Sequence, residues 1–215
     1  MSVGSGVRPA RAVAGPGAPA GNPALLGLPA FLPGGITLGL WLVGYLDATA
    51  LPGGMIAASL FASGLFLLVA CVWGAAVGQS ALAGVFGTFS AFWLSFGFLL
   101  LGLANDWFGI SADPAVGAAQ ARDVQATFVL AWLIVFMTLT VATLRMPLVF
   151  TAGFVFVCAT FALVLGFVRS GNPLFAALGG VTTFVVCAIY GYVFVDGMGR
   201  ELGGRALPLG QPIQQ

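Results

Sequence analysis

Apolar runs of about twenty residues, each closed by a cluster of Gly, Pro, Arg, Asn or Ser, repeat six times along the chain. A helix rises about 1.5 Å per residue, so about 20 apolar residues cross the hydrocarbon of a bilayer. The pattern predicts spans over 31–50, 55–77, 81–103, 124–144, 148–168 and 174–195. Leu51-Pro52-Gly53-Gly54 ends the first run, and Gly78-Gln79-Ser80 ends the second. Ser80 is placed to cap the third. The longest loop runs from Asn105-Asp106-Trp107 to Gln120 and holds Asp113-Pro114. Arg145-Met146-Pro147 and Arg169-Ser170-Gly171-Asn172-Pro173 divide the last three runs. These runs are about twice the length of a barrel strand and do not alternate, which excludes a β-barrel. The fold class is an all-α membrane protein with six transmembrane helices per protomer.

Composition agrees. Hydrophobic residues make up 60% of the chain, charged residues only 6%, and mean hydropathy is +1.09, so no water-facing surface can be assembled from it. The bilayer is its solvent. Residues 1–21, rich in Gly, Ala and Pro with Arg8 and Arg11, lack an apolar core and read as a disordered cytoplasmic tail rather than a cleaved signal peptide. Residues 22–198 form the six-helix domain, and 199–215 a cytoplasmic C-terminal tail. The polar, Gly/Pro-rich stretch begins at Asp196. Six spans put both termini on one side of the membrane. With that side inside, Arg8, Arg11, Arg145, Arg200 and Arg205 are cytoplasmic and Arg122 and Arg169 are not, so the arginine bias places both termini in the cytoplasm.

Small residues recur at four-residue spacing: Gly35/Gly39, Ser59/Ser63 and Gly87/Ala91. They allow close helix approach, either within the bundle or between subunits.

Candidate chemistry is sparse. The chain has no histidine, which excludes His-based triads and HExxH zinc sites, and it has neither a GxxxxGK[ST] loop nor a GxSxG elbow. Asp47 and Asp196 lie near span ends without acidic partners, and with Glu201 they read as solvated charges. Cys71, Cys158 and Cys187 lie far apart in apolar runs and have no metal-ligand spacing. No enzyme, cofactor or metal is expected. A net charge of +1 gives no reason to expect nucleic acid as a partner.

Two tripeptides stand out: Gly21-Asn22-Pro23 and Gly171-Asn172-Pro173, each ahead of an apolar run. Asn caps helices well and Pro suits the first turn, so each is a helix start. A helix N-terminus also presents unpaired N–H groups and positive dipole, which suits a carboxylate. The first motif continues through about two apolar turns until Pro29 and Pro33 interrupt it, which predicts a short helix at the membrane edge ahead of the first full span.

Asn22-Pro23-Ala24, then Leu26-Gly27-Leu28 and Phe31, resembles the N-P-A-P-L-G-L-x-x-F signature of the acetate uptake transporter family, which includes the succinate–acetate permeases. Gly78-Gln79-Ser80 stands where that family has G-N-T, and Phe92-Trp93 where its third helix has F-W. Gly204-Arg205-Ala206-Leu207-Pro208-Leu209-Gly210 is similar to its G-R-x-x-L-P-x-G tail. The resemblance implies a six-helix protomer assembling into a homo-hexamer, each protomer with its own path for small carboxylates. It also implies a pore narrowed at Phe31, Phe89 and Val157, the last by a loose alignment. Asn22, with Pro23, Leu26 and Gly27, falls at the substrate-binding end. Departures are Leu25 for the second proline, Phe89 for a tyrosine, Leu67 for a helix-two glutamine and Gly74 near an acidic position. They make the second helix and pore drier, which argues against succinate with its two charges.

The sequence therefore points to plasma-membrane transport of a small monocarboxylate such as acetate, proton-coupled or channel-like. No basic residue lies mid-membrane, so passage relies on helix-end N–H groups, on hydroxyls such as Thr88 and Ser90, or on protonation of the solute. The alternatives are a pore for a small neutral solute and a non-transporting oligomeric scaffold or sensor.

Overall fold

The computed structural model describes residues 21–45 and 53–214. Among these, six helices are long and apolar enough to cross a membrane, and the protein is a multi-pass bundle. They are α1 (Ala24–Leu42), α2 (Gly53–Ala76), α3 (Ser80–Ala104), α4 (Pro114–Ala142), α5 (Leu148–Ser170) and α6 (Pro173–Glu201). A 3₁₀ turn, Thr143–Arg145, closes α4. The expected terminal tail over 1–21 lies, all but Gly21, outside the described residues, as does Asp47.

α1 packs along α6 and α2, α6 along α5, α5 along α4, and α2 along α3. Glycines permit the tightest of these contacts. A Cβ on Gly35 would stand 2.6 Å from Cys187 Sγ, and one on Gly39 2.9 Å from the Phe184 ring. Gly87 faces Cys71 of α2, and Ser59 and Ser63 are fully buried, whereas Ala91 is exposed. Apart from Ala91, the small-residue pairs thus serve packing inside the protomer. The backbones of α3 and α4 scarcely approach. Aromatic rings fill the gap between them: Phe92 lies 5.5 Å from Trp132 and 5.8 Å from Phe136.

Four expectations are corrected. The short first helix and the first span are one helix, α1, with Pro29 and Pro33 inside it. Proline removes backbone donors, and in a membrane a freed polar group needs another partner. Ser63 of the neighbouring helix braces this segment: Gly34 N–H, one residue past Pro33, donates to Ser63 Oγ at 2.9 Å, and that hydroxyl lies 3.4 Å from the Phe31 carbonyl it faces. Ser63 belongs to a π-helical stretch of α2, Ala58–Leu65, which turns both Ser59 and Ser63 inward. Second, α4 begins at Pro114, inside the expected loop, because Asp113 Oδ1 accepts from Ala115 and Val116 N–H, both at 3.0 Å. Third, Ser80 is the first residue of α3 rather than its cap; Gln79 holds the cap position, without a side-chain hydrogen bond.

Fourth, Asp196 is not a solvated charge. α6 continues past it to Glu201, and its carboxylate is only 4% exposed. It pairs with Arg200 at 2.7 Å and accepts from Leu207 N–H at 2.7 Å. The C-terminal tail is thereby folded back on the bundle. Tyr192 Oη donates to the Pro208 carbonyl, Val149 N–H to the Leu209 carbonyl and Gln214 N–H to the Leu144 carbonyl, each at 2.9–3.0 Å.

Candidate solute path

Because the helices alternate in direction, the start of α1, the start of α3, the start of α5 and the end of α6 meet at one end of the bundle. The second Asn-Pro motif folds as its sequence dictates, with Asn172 the cap of α6 and Pro173 its first residue, whereas in α1 Pro23 holds the cap position and Asn22 stands one residue ahead of it. Asn22 Oδ1 accepts from Ala24 N–H at 3.1 Å, and Asn172 Oδ1 accepts from Leu174 N–H at 3.0 Å. Their surroundings differ. Asn172 is exposed, whereas Asn22 is half-buried and Pro23 fully buried.

Above Asn22 a void of about 30 Å³ is lined by Ala24, Gly27, Phe31, Phe86, Phe89 and Tyr190, among others. Gly27 is required there, since a Cβ would run into the Phe86 ring. A second void of about 30 Å³ lies beyond, lined by Phe31, Phe89, Trp93, Val157, Thr160 and Thr183 and their apolar neighbours. Phe31 and Phe89 line both, and their ring centroids are 5.0 Å apart, edge to face. The two rings are therefore the partition between the voids. Both are buried. Tyr190 packs edge-on to Phe31 at 5.0 Å and Trp93 at 5.6 Å, so the partition is held by a ring of aromatics. A third void of about 60 Å³ shares Leu38, Phe92, Thr160 and Phe161 with the second and opens toward Gln125 at the opposite end. The three form an interrupted column between α1, α3, α4, α5 and α6. The first two voids are no larger than a water or two require, so no open passage runs through the column.

The sequence profile of the GPR1/FUN34/yaaH family matches residues 5–201. The chain belongs to this family. That agrees with the resemblance carried by the first motif, while the tail motif at 204–210 lies beyond the matched residues, and it sets the chain apart from enzymes. Two relatives in Saccharomyces cerevisiae (strain ATCC 204508 / S288c) are similar. Ammonia transport outward protein 2 is 28% identical over 180 residues, covering 80% of this chain and 59% of the relative. Accumulation of dyads protein 2 is 28% identical over 181 residues, covering 76% and 58%. The chain thus spans less than two thirds of the length of these relatives. The backbone also matches the structure of the bacterial acetate channel SatP with a TM-score of 0.75 at 23% identity, covering 89% of this chain and all of that one; the two share a fold.

In this GPR1/FUN34/yaaH member the residues singled out from sequence divide into two groups. Gly27, Phe31, Phe89 and Val157 line the column, Leu26 packs against the surrounding core, and Asn22 and Pro23 lie at its end. Thr88 and Ser90 do not line it. Thr88 Oγ1 donates to its own helix at Gly84, and Ser90 Oγ donates at 2.8 Å to the Gly64 carbonyl of α2. The column's threonine hydroxyls are also engaged: Thr160 Oγ1 lies 2.8 Å from Thr182 Oγ1, and Thr183 Oγ1 donates to the Gly179 carbonyl. Tyr190 escaped the sequence reading. Its one signal was rarity, since it is one of three tyrosines and lies deep in an apolar run.

Proposed function

We propose that the protein moves a small monocarboxylate, acetate first among them, through a path inside each protomer, with Phe31 and Phe89 as the gate. The observation that carries this reading is the partition itself: one ring pair, contributed by α1 and α3, lines the voids on both sides of it. Among the described residues no acidic or basic side chain lines the first two voids, so the path offers neither a fixed counter-charge nor a proton relay. A fixed arginine would trap an anion, whereas a column of apolar walls releases it. Transport is therefore channel-like, and any proton travels on the solute. The name of the similar bacterial structure, an acetate channel, supports the substrate class. Val157 narrows the second void, and Asn22, Pro23, Leu26 and Gly27 form the entrance.

The protomer assembles as a hexamer in the cell membrane, with both termini cytoplasmic. Exposed Leu130, Ile134, Met137 and Val141 on α4, and Phe61 and Val72 on α2, provide apolar surface for lipid or neighbouring protomers. A second reading, passage of a small neutral solute such as ammonia, is favoured by the apolar lining and by the name of one yeast relative. Counterflow of labelled acetate into proteoliposomes separates the two. Uptake above protein-free liposomes supports the carboxylate path. No acetate uptake, together with fast ammonia-driven alkalinisation of the lumen, supports the neutral one.

A further inference from the structure

We propose that the Tyr190 hydroxyl and the Trp93 indole N–H are the solute's hydrogen-bond donors on the two sides of the gate, a carboxylate passing from one to the other as Phe31 and Phe89 part. The proposal rests on the carboxylate reading above.

Buried polar groups are nearly always paired, because an unmade hydrogen bond in an apolar interior is unfavourable. Among the described residues three buried side-chain atoms have no partner: Tyr190 Oη, Trp93 Nε1 and Ser59 Oγ. Ser59 lies on α2 against α3 and lines none of the three voids. The other two flank one gate. Tyr190, 4% exposed, lines the void on the Asn22 side, and Trp93, 1% exposed, lines the void beyond. Both rings pack on Phe31, so the two donors lie on either side of the side chain that must move. Every threonine hydroxyl of the first two voids is engaged in the protein, which leaves these two free for a passing molecule.

The donor types define the solute. An indole N–H can only donate, so it serves a solute that accepts, and its bond to a charged carboxylate is stronger than its bond to neutral ammonia. A carboxylate has two acceptor oxygens, so it can keep one donor while reaching for the next. Neither donor is charged, so neither holds the anion as a guanidinium would.

Tyr190→Phe removes one hydroxyl and keeps the ring packing. Acetate flux in proteoliposomes should fall about ten-fold, the loss expected for one hydrogen bond to a charged group. Its melting temperature in detergent should stay the same or rise, because an unpartnered hydroxyl has gone. Trp93→Phe should lower the ratio of acetate to ammonia flux, since widening the void alone would not disfavour acetate. Full acetate flux in Tyr190→Phe, a fall in its melting temperature that matches the fall in flux, or an unchanged ratio in Trp93→Phe overturns the assignment. Wild-type protein that carries no acetate overturns the carboxylate reading and this inference with it. Wild-type protein that carries acetate no better than Tyr190→Phe overturns the donor assignment alone.

Discussion

Truncating Phe31 to alanine should turn the closed column into a leak. Phe31 makes three ring contacts at 5.0–5.6 Å, with Phe89, Trp93 and Tyr190. At about 0.5–1.5 kcal/mol for an aromatic pair, these contacts together hold the closed state by roughly 1.5–4.5 kcal/mol. At about 1.4 kcal/mol per ten-fold, their loss shifts the open-to-closed ratio by about one to three orders of magnitude. The open gate keeps some of these contacts, so the lower end is expected. Truncation also joins the two voids of about 30 Å³ on either side. Passive flux of acetate should rise ten-fold or more, and a bulkier acid such as propionate should gain more than acetate. A core Phe→Ala change costs about 3–5 kcal/mol in soluble proteins, so the melting temperature will drop and fluxes must be normalised to folded protein. Phe31→Leu, which keeps most of the volume, should fall between the two. The assay is efflux from liposomes preloaded with each labelled acid. Folded Phe31→Ala with wild-type flux for both acids would refute the gate.

Three further outcomes follow from the same geometry. Ser63→Ala removes the hydroxyl that bonds the buried Gly34 N–H and should lower stability by about 1–3 kcal/mol, read as a lower melting temperature, with Ser63→Thr retaining more than Ala if the hydroxyl is what matters. Asp196→Ala leaves Leu207 N–H and Arg200 without their acceptor and should free the C-terminal tail for proteolysis near Arg205, while Arg200→Ala, whose side chain is half exposed, should do less. Asn22→Asp keeps a good cap but sets a negative charge at the entrance, so acetate uptake should fall more than in Asn172→Asp at equal expression; equal uptake would leave Asn22 a helix start and nothing else.

Hydropathy made five of the six spans legible to within a few residues at most ends, since membrane thickness fixes their length. The errors arose where polar satisfaction depends on distant residues. Pro29 and Pro33 look like a break because the hydroxyl that braces the segment around them, Ser63, belongs to another helix. Asp196 looks solvated because its partner N–H is at Leu207, eleven residues on. The start of α4 was marked by Asp113-Pro114, a cap followed by a helix-starting proline, but the modest hydropathy of the residues after it reads as a loop. Phe31 and Phe89 entered through the family signature, and the structure brings them into contact. Thr88 and Ser90 illustrate the limit of residue type: a hydroxyl in a span is most easily spent on a backbone carbonyl. No local pattern marks Tyr190, whose significance rests on lacking a partner.

The central claim is that solute passes between Phe31 and Phe89, and cysteine accessibility tests it most directly. With Cys71, Cys158 and Cys187 replaced by alanine, Phe31→Cys should react with a small water-soluble thiol reagent in proteoliposomes that contain acetate transport activity. Modification should block acetate flux, and a high acetate concentration should slow the modification. A thiol at position 31 that never reacts, or that reacts fully while acetate flux continues at its unmodified rate, would contradict the account.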